Sequence, residues 1–130
     1  MVNIKSLRAK VYQYVKKNYN TNPEYLWAKF PSYAVFRHNA NKKWYAIIMN
    51  IPFSKLGIEK DERVDILNVK LSDQFLYDIL IQQKGFFKAY HMSRGNWITI
   101  LLDGSVSFGQ VCKLIDESFI AINAKKKHYK

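Results

Sequence analysis

The chain has 130 residues, 48% hydrophobic and 15% aromatic, with only five Gly and three Pro, which suits one domain with a buried core and excludes a disordered chain. The net charge is +11, from 21 Lys and Arg against 10 Asp and Glu, a balance that attracts polyanions, nucleic acid among them, and is also found in small basic proteins that bind none specifically. The single cysteine, Cys112, excludes an internal disulfide and a cysteine-built metal site, and no apolar run approaches the ~20 residues of a membrane span. The opening MVNIKSLRAKVYQYVKK interleaves charge with apolar residues, unlike a signal peptide, so a cytoplasmic protein is expected.

Ile4, Leu7, Val11, Tyr14 and Val15 recur at helical spacing, with Asn3 placed to cap the first helix. Asn22-Pro23-Glu24 reads as the start of a second, short helix ending before Pro31. Ala34–His38 and Trp44–Ile51 then read as strands joined by the hairpin loop NANKK, Asn39–Lys43. The second of these is apolar at both alternating sets of positions, as a central strand is. Residues 52–63 form a loop with Gly57 and the charged turn KDER, and Val64–Leu71 is a third strand. A short helix is expected from Ser72 to near Gly85, carrying Phe75, Leu76, Ile79 and Leu80. Phe86–Tyr90 and Trp97–Leu102 are the fourth and fifth strands, connected through HMSRGN, with Gly95 at the turn. Asp103-Gly104 marks another turn. Ser107 and Gln110 have capping-box spacing at the head of a final helix whose apolar stripe is Phe108, Val111, Ile115, Phe119 and Ile122. The chain ends in a basic stretch over 124–130 that holds Lys125, Lys126, Lys127 and Lys130.

Short connections between successive strands predict an antiparallel sheet. Two amphipathic end helices need one of its faces, so the expected fold is a two-layer α+β sandwich over residues 1–130, with five strands in the order α-β-β-β-α-β-β-α. The opposite face and the hairpins are left for function.

The segments PEYLWAKFPSYAVFRH (23–38), KKWYAIIMNIP (43–52), VDILNVKL (64–71), GFFKAYHMSRGNWITILLDGS (85–105) and DESF (116–119) carry a resemblance to the MmcQ/YjbR family of small bacterial proteins. The spacing of Tyr90-His91-Met92 to Trp97, then a strand and LDGS, is its most specific part. The resemblance implies a CyaY-like (frataxin-like) α+β sandwich and a double-wing pair of hairpins suited to DNA, and it implies no particular reaction. Frataxin-like folds elsewhere bind iron through an acidic ridge. Here the first helix is basic, with Lys5, Arg8, Lys10, Lys16 and Lys17, which argues against an iron role.

The candidate contacts fall in the two loops. Arg37, Lys42, Lys43 and Arg94 are suited to phosphates, His38, Asn39, Asn41 and His91 to base edges or sugars, and Trp44 or Tyr45 to stacking on an unpaired base. The same residues are ordinary in polar turns, with Trp44 packed at a strand start. An alternative ligand surface is the uncovered sheet face, with aromatics from Trp44, Tyr45, Tyr90 and Trp97, for a protein or small molecule. Catalysis is not expected. His38, His91 and His128 are scattered, Ser93 and Asp103 near His91 set no triad geometry, and there is no nucleophile elbow, phosphate loop or zinc helix motif. No cofactor or metal is expected, DNA is the leading partner, and a monomer is favoured over an oligomer.

Overall fold

The computed structural model describes residues 6–92 and 95–123; Arg94, Ser93 and the basic end 124–130 lie outside the described residues, and so do Asn3 and Ile4. The chain runs α1 (Arg8–Tyr19), β1 (Ala34–Arg37), β2 (Trp44–Pro52), β3 (Arg63–Lys70), α2 (Gln74–Leu80), β4 (Phe86–Lys88), β5 (Trp97–Leu101) and α3 (Phe108–Asn123), with a 3-10 turn at Phe53–Leu56. All neighbouring strands pair antiparallel, in the spatial order β1-β2-β3-β5-β4. This is the expected α+β architecture. β5 slots between β3 and β4 because α2 carries the chain back along the sheet before β4 begins.

Each element has a local cause. Val11 and Val15, four apart, bury one face of α1, and Asn20 ends the helix in the left-handed conformation. α2 begins at Gln74, two residues later than expected. Its cap is Asp73, whose carboxylate accepts from the Phe75 and Leu76 N–H groups. In α3 the Ser107 hydroxyl accepts from the Gln110 N–H at 3.2 Å. Gly85 sits at φ +91, and a β-carbon there would meet Val106 Cγ2 at 2.6 Å, so the turn into β4 requires glycine.

The helices cover one sheet face. Phe36, Tyr45, Ile48, Leu67, Val69, Ile98 and Ile100 pack there against Val11, Val15, Val111 and Ile115. Asp116 of α3 accepts hydrogen bonds from the Tyr14 and Tyr19 hydroxyls of α1, which fastens the two helices together. Desolvation and the neighbouring carboxylate raise the Tyr14 pKa to about 12, so this phenol stays protonated as a donor.

Two expectations are corrected. The segment after Asn22 is not a helix: Glu24 forms an antiparallel bridge with Val35, with both its N–H and its C=O bonded at 2.9 Å, and the chain continues in turns to Tyr33. Pairing to the β1 edge outcompetes the helix-start signal of Pro23. As a result, the second sheet face is not bare. Val35, Ile47, Met49, Ile51, Val64, Ile66 and Leu101 form a second buried cluster there, partly roofed by Trp27, Tyr33, Leu56, Ile58, Tyr90 and Met92.

Candidate nucleic-acid interface

The strand registers decide where the two polar loops lie. Arg37 faces Trp44, Ala46 faces Val69, Lys70 faces Trp97, and Lys88 faces Ile98. The 38–43 loop, the end of β3 and the 89–96 connection therefore emerge from the same end of the sheet. Lys42, Lys43, Lys70 and Lys88 mark that end from one side to the other. At ~4.8 Å per strand the row is about 19 Å wide. No acidic residue occurs between Glu24 and Glu59, or between Asp78 and Asp103, so both loops lie in purely basic stretches.

Within the first loop most polar groups brace the fold. Asn39 donates to the Tyr19 carbonyl at 2.9 Å and Asn41 to the Ile122 carbonyl at 3.0 Å, tying the hairpin to the ends of α1 and α3. Arg37 pairs with Glu24 at 3.0 Å, donates to the Lys42 carbonyl and lies over the Trp44 ring. His38 is only 5% exposed. Its ring stacks on Phe119 at 4.0 Å, and Nδ1 accepts from the Ala40 N–H at 3.0 Å. That acceptor role places the neutral ring's proton on Nε2, and burial lowers the imidazole pKa below its usual value. His38 is thus a packing residue of the hairpin, not an exposed ligand contact. Arg37 is a brace whose charge is already paired. Lys42, held at φ +63 by the turn, and Lys43 remain exposed.

The second loop is held by a buried polar network. The Thr99 hydroxyl donates to Asn68 Oδ1 at 2.6 Å and accepts from the Tyr90 N–H at 2.9 Å, while Asn68 Nδ2 donates to the Tyr90 carbonyl at 2.9 Å. Both backbone groups of Tyr90 are satisfied by side chains just where β4 leaves its ladder. The next residue, His91, takes φ +62, exposes its imidazole and lies against the Tyr90 ring at 3.9 Å. Gly95 sits at φ +71, close to the Lys70 side chain.

A cavity of about 250 Å³ opens on the second face between the two loops. Trp27, Phe30 and Tyr33 form one wall, Ile47 and Met49 of β2 its floor, and Trp44, His91 and Met92 the rest. Trp27 stands edge-on to both Trp44, at 5.8 Å, and Tyr33, at 5.9 Å. Sequence reasoning did not find Trp27, Phe30 or Tyr33 as site residues, because the signal for them depended on the 24–33 segment crossing the sheet. Of the aromatics expected on this face, Trp44 and Tyr90 are there. Tyr45 is fully buried on the helix side, its hydroxyl bonded to Thr21 at 2.7 Å, and Trp97 packs against the helix-side cluster. Cys112 is half-buried, and burial and the Asp116 charge push its thiol pKa up, away from nucleophilic use.

This architecture has solved counterparts. A Pseudomonas syringae protein seen in a crystal structure is similar at TM-score 0.83 and 43% identity, covering 88% of this chain and 97% of that one. A Deinococcus radiodurans protein at 17% identity shares the fold, with TM-score 0.69 over 96% of this chain and 84% of that one. The class these define is a small open-sheet α+β protein with three helices. The chain belongs to the YjbR family, whose pattern it matches over residues 17–120. A Bacillus subtilis (strain 168) relative, the uncharacterized protein YyaQ, is 39% identical over 112 residues, 86% of this chain and 94% of its own length.

Proposed function

We propose that this protein is a non-enzymatic nucleic-acid-binding module with DNA as its ligand, and that it meets phosphates with the lysines at the double-loop end of the sheet. One observation carries the reading. Antiparallel registers bring Lys42, Lys43, Lys70 and Lys88 to one end, and the two loop stretches that carry Lys42, Lys43 and Lys88 contain no carboxylate. A row of about 19 Å spans about three or four successive phosphates of one DNA strand. Arg94 lies in the same connection by sequence.

A second reading is a small-ligand or protein-binding domain, favoured by the aromatic cavity on the second face. NMR titration with short DNA oligonucleotides separates the two. The DNA reading expects amide shifts concentrated at 37–45, 70 and 88–97. Shifts spread evenly over every lysine, or none at low salt, would refute it.

A further inference from the structure

The cavity on the second face has chemistry that the lysine row does not explain. Its walls are aromatic rings and thioethers, and its volume of about 250 Å³ falls just under the ~300 Å³ at which ordinary small-molecule sites begin. It therefore admits one planar ring system and not an extended ligand. Phe30 is 48% exposed and stacks on Tyr33 at 4.8 Å with the rings 15° apart, which places a flat aromatic surface at the mouth. Polar function is sparse there: among the lining side chains it comes from the Tyr33 phenol, the indole N–H groups and the imidazole of the exposed His91. That side chain is held in a left-handed backbone conformation by the buried Asn68–Thr99–Tyr90 network. The left-handed backbone sets the direction in which the His91 side chain leaves the chain, toward the cavity it lines.

The surroundings choose among planar ligands. Trp44 and His91 line the cavity and also begin or flank the two loops of the basic sheet end. Glu24, bridged to the β1 edge, is neutralised by Arg37, whose guanidinium lies 5.8 Å from the Trp44 ring centroid. The exposed Lys42 and Lys43 immediately precede Trp44 in the same hairpin, so cations border the loop from which one wall of the cavity starts. We infer that the cavity takes a single unpaired nucleobase of a DNA strand, stacked among the aromatic side chains with its polar edge toward His91, while the adjoining phosphates lie along the lysine row. This rests on the nucleic-acid reading above and adds to it a preference for unpaired over duplex DNA, since a base inside a duplex cannot enter.

The test uses the full chain and two labelled probes of equal length and charge, a thymidine decamer and a decamer of abasic spacers, read by fluorescence anisotropy at fixed low salt. Stacking one base is expected to make the thymidine decamer bind roughly 5- to 150-fold tighter than the abasic one. Phe30→Ala should remove most of that difference while leaving abasic binding unchanged. Phe75→Ala, a 74% exposed position on α2, should change neither and controls for general loss of surface aromatics. Equal binding of both probes, unaffected by Phe30→Ala, would overturn the base pocket and leave the lysine row standing. Binding of neither probe would overturn both. Saturable binding of free thymidine without binding of either decamer would overturn the strand as the source of the base.

Discussion

Replacing Thr99 by Val should loosen the loop that presents His91 while leaving the sheet's shape intact. The two side chains are nearly isosteric and both β-branched, so no cavity forms and strand preference is kept. What is lost is one hydroxyl that satisfies two partners in a fully buried position, the Tyr90 N–H at 2.9 Å and Asn68 Oδ1 at 2.6 Å. Each buried polar group left without a partner costs about 1–3 kcal/mol. Partial relaxation toward the loop side would recover some of it, giving an expected loss of about 2–4 kcal/mol. That is a large share of the ~5–15 kcal/mol typical of a domain, yet the variant should still fold. Urea unfolding at neutral pH measures the stability change. Native-state hydrogen exchange at the Tyr90 amide measures the local one, and it should rise more than exchange at Leu67 or Ile48 in the central strands. A loss below about 0.5 kcal/mol with unchanged exchange at Tyr90 would refute the claim that this network fixes the loop.

Three other outcomes follow from the geometry. Gly85→Ala forces a left-handed residue and a 2.6 Å contact with Val106, and should cost about 2–3 kcal/mol in urea unfolding. Gly57→Ala, at φ +78 with open space around it, should cost only about 1 kcal/mol by the same assay. His38 is held neutral by burial, so its folded pKa is below the unfolded value of 6.5. The unfolded chain then takes up the proton first, and stability should fall as pH drops through and below 6.5. In an NMR titration the His38 ring should show a midpoint below that value; a midpoint above it would contradict the stacked, buried placement.

Much of the fold was legible because its periodicities are clean. The apolar runs of β2 and β3 mark central strands buried on both faces, and the Val111–Ile115–Ile122 stripe of α3 identifies its element and buried side. The common end of the two loops also follows from sequence order once the strands are antiparallel. The 24–33 segment was misread because Pro23 is a sound local helix signal and the Glu24–Val35 bridge that overrides it is a tertiary contact. The cavity was hidden for the same reason, since one of its walls exists only when that segment crosses the sheet. Asn68 and Thr99 are, by sequence, isolated polar positions within apolar strands. Nothing local says that they satisfy the backbone of Tyr90, 22 and 9 residues away. His38 and Arg37 had the right chemistry for a ligand, but Phe119 and Glu24 claim them, and both partners are remote in sequence.

The central claim is that the lysine row at the double-loop end binds DNA phosphates. It is tested most directly by the salt dependence of binding, measured by anisotropy with a single-stranded oligonucleotide for the native chain and for a variant carrying Lys42→Ala, Lys43→Ala, Lys70→Ala and Lys88→Ala. Each phosphate contact contributes about −0.7 to the slope of log K against log salt on single strands. Losing all four should therefore flatten the slope by about 2 to 3 and weaken low-salt binding by orders of magnitude. An unchanged slope, or equal weakening when Lys10, Lys17, Lys29 and Lys113 are replaced instead, would contradict a defined interface at this end of the sheet.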